Sequence, residues 1–320
     1  MRPILTLKID VDTLRGTELG VGNLVRMLQA HQANATFLFS LGPDHTGWAL
    51  RRVLRPGFFS KVARTSVIEH YGLKTLMYGT LLPGPDIGKR CAAAMRAVRD
   101  AGFECGIHTW DHVLWQDNVA LRGADWTRDL MRRAALRYAD IFGTPAATHG
   151  AAGWQMNAAA MAEHDTAGYR YASDGRAPLD ARGALRDPAS GPHRISVDGA
   201  PLRCVQLPTT LPTLDELLGR EIDSTLITVH NVAAHLLALT AQQRDHVYTL
   251  HAELEGQKLA PVFAQLLAGW RDQGYQLGAM ADHYRRIDDQ DRLDALPVVP
   301  LGWGELPGRS GRVIMQGGAP

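Results

Sequence analysis

Short apolar runs of strand length alternate with amphipathic stretches of helix length through most of this chain, and that alternation leaves few folds open. Ile4 to Asp10 reads as a first strand, and Gly20 to Gln32 as a helix with Val21, Leu24, Val25 and Leu28 on one side. Ala35 to Ser40 is a second strand, apolar enough to be buried on both faces. Helices are expected over Ile87 to Ala101, Trp126 to Phe142, Met156 to Ala167, Ser224 to Leu239 and Pro261 to Gln273. Strands are expected over Phe103 to Ile107, Tyr169 to Ser173, His246 to Leu250 and Tyr275 to Met280. Within the fourth of those helices, Thr225 to Val229 also fits a strand. Alternation over about 280 residues implies a parallel sheet with helices outside, and its length fits a (β/α) barrel of about 250 residues with insertions. A doubly wound open sheet would carry a glycine-rich first turn, and Thr13 to Gly20 is not one.

Two stretches interrupt the pattern. Residues 43–86 interleave Trp48, Leu54, Phe58, Phe59 and Tyr78 with Arg51, Arg52, Arg55, Lys61, Arg64 and Lys74. Such an insertion suits either an anionic membrane surface or a helical cap with a solvated basic face. Residues 180–207 are rich in Gly, Pro and Arg, and predict a hairpin turning at Asp198-Gly199. Residues 1–296 are read as one domain containing both insertions, and residues 297–320 as a flexible, Gly- and Pro-rich tail.

A formal net charge of +1 argues against a dedicated nucleic-acid binder. Cys91, Cys105 and Cys204 are far apart and lack a CxxC pair, so a reducing compartment is expected. The chain enters a strand at once, without a signal-peptide core, and no eighteen apolar residues run together. A cytoplasmic protein, dissolved or attached to a surface, is expected.

The chemistry-bearing residues fall at the ends of strands. His108 and His112 lie four apart after the strand Phe103 to Ile107, and on one helical turn they would share a face. Alone, such a pair fits ordinary surface or core histidines. Asp10 and Asp12, on one side of an extended chain after the first strand, change its weight. Two close carboxylates call for a cation. Two histidines and one carboxylate leave open positions for water and a substrate oxygen, as in catalytic zinc sites. Zinc suits this set, and manganese, cobalt or iron are alternatives. His251 closes a later apolar strand and is a candidate general acid. Trp154, with Trp110, Trp115 and Trp126, fits either stacking on a sugar ring or core packing.

These residues resemble the polysaccharide deacetylase (NodB homology) family. The resemblance rests on an early Asp-x-Asp, a later His-[Ser/Thr]-x-x-His and a late apolar strand ending in Leu-His. It implies an irregular (β/α) barrel and metal-assisted hydrolysis of acyl groups on sugars. It implies Asp10 as base, Asp12, His108 and His112 as metal ligands, and His251 as acid. Two features depart from the family pattern. Val11 separates aspartates that are usually adjacent, and Thr148 to Trp154 stands where Arg-x-Pro-Tyr, whose Arg supports the base, is usual. Ile9 to Thr17, Ala151 to Trp154, Ser173 to Arg176, Leu207 to Thr213 and His251 to Glu253 are similar to one branch of the family. That branch deformylates a formamido-arabinose carried on undecaprenyl phosphate, in the pathway that adds aminoarabinose to lipid A. The likeness implies substrate contacts from Arg15, Trp154, Asp174, Arg176 and Glu253, with Arg176 the candidate to support the base or bind the phosphate. It further implies a role in polymyxin resistance, one divalent metal ion and a lipid-linked sugar substrate. With it comes peripheral contact of residues 43–86 with the cytoplasmic face of an anionic inner membrane. A deacetylase of another N-acylated sugar and a non-catalytic binder of lipid-linked sugar are the alternatives.

Overall fold

The computed structural model describes residues 2–49 and 73–319. Strands β1 (Ile4–Val11), β2 (Thr36–Ser40), β3 (Glu104–Thr109), β4 (Thr148–His149) and β5 (Tyr171–Ala172) come first. A hairpin of β6 (His193–Val197) and β7 (Ala200–Gln206) follows, then the short antiparallel pair β8 (Glu221–Ile222) and β9 (Thr225–Leu226). The chain ends with β10 (His246–His251), β11 (Gln276–Gly278), β12 (Val298–Pro300), β13 (Trp303–Glu305) and β14 (Arg312–Ile314).

In the main sheet β10, β1, β2, β3, β4, β5 and β7 lie side by side and parallel. The backbone beyond β7 brings the two ends of this row together. Leu207 N–H donates to Ala172 O at 2.8 Å, Thr209 N–H to Gly175 O at 3.0 Å, and Thr210 N–H to Val247 O of β10 at 3.0 Å. The result is an irregular barrel whose seam is a single short stretch of chain.

The alternation within β1 sets the two layers. Leu5, Leu7, Ile9 and Val11 face outward into a core shared with Leu24, Leu28, Met95 and Phe263 of the surrounding helices. Burial of each such side chain is worth about 1.5–3 kcal/mol. Thr6, Lys8 and Asp10 therefore face the lumen, and all three are buried. Below them Leu38, Tyr171, Val205, Leu207 and Val247 pack against Met280 and Ile287. The helix Met280–Asp288 closes that end, with Met280 N–H on Thr36 Oγ1 (2.7 Å) and Ala281 N–H on Glu104 Oε2 (3.0 Å).

The structure departs from the sequence reading in three places. The expected helix from Ser224 begins only at Val232, because Thr225 and Leu226 pair with β8 and Asn231 Oδ1 accepts Thr228 N–H at 2.7 Å. The tail expected to be flexible is built into the fold: β12 extends the sheet beside β6, and β14 carries Val313 into a cluster with Trp154, Leu179, Leu306 and Met315. Gly308, Gly311 and Gly317 take left-handed φ in its turns. The insertion expected over 43–86 falls mostly on residues 50–72, outside the described residues. Its ends meet at a Pro43–Asp86 bridge, and Leu73–Met77 is helical. The expected hairpin is present, with left-handed Asp198 (φ 50°) and Gly199 (φ 80°) at its turn.

Burial keeps four histidines neutral. It pushes His164, His193 and His283 down to about 4 and His246 to about 3. Unfolded chains bind these protons at the ordinary histidine value, near 6.5, so the unfolded state gains protons as pH falls below it. Stability is therefore full above 6.5 and is lost between 6.5 and about 4, by up to about 1.4 kcal/mol per pH unit per histidine. Thermal melts across that window should show a steep fall in Tm; a flat profile would contradict the neutral assignment.

Candidate active site and metal centre

Asp12 is the first residue past β1, at the lumen's open end. Its carboxylate lies 3.2 Å (Oδ1) from His108 Nε2 and 3.4 Å (Oδ2) from His112 Nε2. His108 stands in β3, whereas His112 opens the helix His112–Asn118. The expectation of both imidazoles on one helical turn is thus corrected: a strand end and a helix start bring the rings to 5.3 Å. Asp111 makes that change of direction. Its Oδ1 caps the helix by accepting Leu114 N–H at 3.0 Å, and its Oδ2 lies 2.5 Å from His45 Nδ1.

The residues present fit a divalent cation. Asp12 Oδ1 and His108 Nε2 are buried without a hydrogen-bond partner. Donors at roughly 3.3 Å are spaced as neighbouring ligands on a tetrahedral ion with bonds of about 2.0–2.1 Å. His108 Nδ1 donates to Gly150 O at 2.6 Å, which leaves the Nε2 lone pair for a metal. Burial opposes the charge of Asp12, but His112 and His108 outweigh it and hold the carboxyl well below the usual range.

Asp10 and His251 flank this group and pair as neighbours between β1 and β10. Asp10 Oδ2 is 2.8 Å from Lys8 Nζ, while its Oδ1 is buried, has no hydrogen-bond partner and lies 3.8 Å from His108 Nδ1. Burial alone would push His251 down. The carboxylates of Asp215, Asp12, Glu255 and Asp10 reverse this and raise it to about 9. Asp215 Oδ1 is 4.0 Å from His251 Nδ1, and Glu255 Oε2 accepts His251 N–H at 2.9 Å.

The residues expected to contact substrate fare differently. Arg15 lies three residues after Asp12 on the same loop, partly buried, with Nε lacking a hydrogen-bond partner. Glu253 engages the Asp12 loop: its Oε1 accepts Asp12 N–H, Thr13 N–H and Thr13 Oγ1–H at 3.1, 2.8 and 2.8 Å, while its Oε2 is buried without a hydrogen-bond partner. A Cβ on Gly16 would sit 1.9 Å from Oε1, so only glycine lets the loop close on Glu253. Burial, with Asp12 adding, raises Glu253 to about 8. Arg176 is fully buried in a bidentate pair with Glu216 (2.6 and 2.9 Å), 4.4 Å from the Trp154 ring. It supports neither Asp10 nor a phosphate. Trp154, also packed by Arg309, is buried and offers no open face. Asp174 is buried in a network with His149 (2.7 Å) and Gln206 (2.9 Å). With His164 these form a second His-His-Asp group. Both Asp174 oxygens already accept hydrogen bonds, which distinguishes it from the orphaned Asp12 oxygen.

Sequence reasoning passed over Lys8, Asp215 and Glu255. Lys8 had a signal, a charge inside an apolar strand two residues before Asp10 and on its face.

No protein-family model matches the chain. A curated 4-deoxy-4-formamido-L-arabinose-phosphoundecaprenol deformylase of Shewanella sediminis is 34% identical over 311 residues, covering 97% of this chain and 93% of the relative. Its counterpart in Wigglesworthia glossinidia brevipalpis is 28% identical over 305 residues, covering 94% and 98%. Among solved structures, a polysaccharide deacetylase from Mycobacterium smegmatis matches with a TM-score of 0.58 at 15% identity, covering 96% of this chain and 99% of that one. One from Pseudomonas aeruginosa PAO1 matches at 0.55 and 11%, covering 90% and 92%. These structures share the fold. The sequence relatives go further: the chain belongs to the family of 4-deoxy-4-formamido-L-arabinose-phosphoundecaprenol deformylases, hydrolases of amide C–N bonds.

Proposed function

We propose that this enzyme removes the formyl group of 4-deoxy-4-formamido-L-arabinose carried on undecaprenyl phosphate. One observation carries the reading: Asp12 lies 3.2 Å from His108 Nε2 and 3.4 Å from His112 Nε2 at a barrel mouth flanked by Asp10 and His251, in a chain of the deformylase family. A divalent ion held by those three residues, most suitably zinc, supplies a Lewis acid that polarises the formyl carbonyl and lowers the pKa of water toward about 7. Asp10, through Oδ1, takes the proton of the attacking water. His251 gives its proton to the sugar nitrogen as the C–N bond breaks, and formate and the free amine leave. Arg15 is the candidate partner of the substrate phosphate. The amine, passed on to lipid A, reduces its negative charge and so its attraction for polymyxin.

On this reading the enzyme meets its lipid-linked substrate at the cytoplasmic face of the inner membrane. No helix of the described residues is long and apolar enough to cross a membrane. Leu81 (78% exposed), Leu121 (88%) and Leu226 (57%) are exposed apolar side chains that support surface contact. The basic, aromatic residues 43–86 add charge suited to anionic lipid. Formate release from the formamido-arabinose lipid, measured with and without chelator, tests the proposal. Chelator-sensitive release is expected. Turnover confined to acetylated oligosaccharides would assign the site to a deacetylase instead.

A further inference from the structure

The lumen beneath the site holds a fully buried lysine, which is costly unless its charge has a partner: the effective penalty is several kcal/mol per ion. Lys8 Nζ lies 2.8 Å from Asp10 Oδ2 and 5.3 Å over the ring of Trp154. We propose that Lys8 is the positioning residue of the base, clamping one oxygen of Asp10 so that the other faces the water to be deprotonated. The inference rests on the reading of Asp10 as that base.

Three features of the fold make this arrangement specific. Lys8 and Asp10 alternate on one strand, so the ammonium reaches the carboxylate from directly below, without a loop between them. Only Oδ2 is engaged; Oδ1 has no hydrogen-bond partner. The wall opposite is cut away for the lysine stem: a Cβ on Gly150 would lie 2.8 Å from Lys8 Cε and 2.3 Å from Leu38 Cδ1. Gly150 and Trp154 belong to the segment Thr148 to Trp154, which replaces the arginine-bearing motif of the wider family. That segment therefore admits a cation from β1 in place of supplying one. Gly150 O also holds His108, so one residue orients a metal ligand and makes room for the partner of the base. Arg176, the other buried cation nearby, is committed to Glu216.

Lys8→Met tests the assignment in the full-length, metal-loaded enzyme. A carboxylate free to rotate loses its near-attack geometry, for which roughly a 100-fold fall in kcat is expected, with KM and bound metal unchanged. Lys8→Arg, which restores a cation at the same place, should recover at least about tenfold over Lys8→Met. A wild-type kcat in Lys8→Met would overturn the proposal. So would equal loss in both variants with metal still bound, since the side chain would then act by its volume. If Lys8→Met does not fold, Lys8→Gln carries the same comparison. The wild-type enzyme is the control for the underlying reading: if it releases no formate, that reading fails first, whereas equal kcat in both enzymes sinks this inference alone.

Discussion

His108→Ala is expected to leave a folded protein that no longer retains its divalent ion and releases formate at least about a thousandfold more slowly. The size follows from the chemistry: a Lewis acid contributes several kcal/mol of transition-state charge stabilisation, and each 1.4 kcal/mol is about a factor of ten. Retention of the fold follows from position. His108 lies at the open end of β3, beyond the Cys105 and Ile107 side chains that hold the strand against the outer core. The effect on the ion is large because His108 is the most fixed of the three ligands. It is buried, its tautomer is set by Gly150 O, and its Nε2 meets Asp12 across 3.2 Å. Without it, Asp12 and His112 are two ligands on separate elements, too few for a closed coordination shell. Metal content after gel filtration, read beside single-turnover formate release, checks both halves. A variant that kept its metal and full activity would remove this centre from the mechanism.

The outer layer of this fold is more legible than its interior. Leu5, Leu7, Ile9 and Val11 announce a strand packed under helices, and the helices they meet carry the matching 3.6-residue stripe. The candidate metal group was legible for a similar reason: Asp12, His108 and His112 stand at the ends of apolar strands, where polar side chains stand out. Lys8 was harder. A lysine within an apolar strand reads as a solvent-facing position, and only barrel closure makes that face a lumen. Arg176 shows the converse error. Its place beside Asp174 in a family-like segment suggested substrate, yet Glu216, forty residues on, takes both terminal nitrogens of its guanidinium. Pairings across such separations leave no periodic trace. The tail misled through composition, since several of its glycines mark turns between strands that find their partners in β6, in each other and at Arg176.

His251 should divide the reaction from metal binding. His251→Ala is expected to keep its ion, because His251 is not among the three residues that face one another around Asp12, and to lose roughly 100- to 10,000-fold in kcat, the range of a general acid. Its pH dependence carries the sharper test. Burial lowers its pKa and the carboxylates, Asp215 first, raise it further, to about 9. The protonated ring is the active form, so kcat should hold across neutral pH and fall as pH rises through about 9. Asp215→Asn removes the largest of the raising charges, 4.0 Å from Nδ1, and should move that falling limb to lower pH by of order one unit. Glu255→Gln should move it in the same direction and by less, because Glu255, itself raised to about 7 by burial, is only partly charged near neutrality. A base would show the opposite limb: if activity rose through pH 9, His251 would be accepting the proton. The roles of His251 and Asp10 would then be exchanged across the metal.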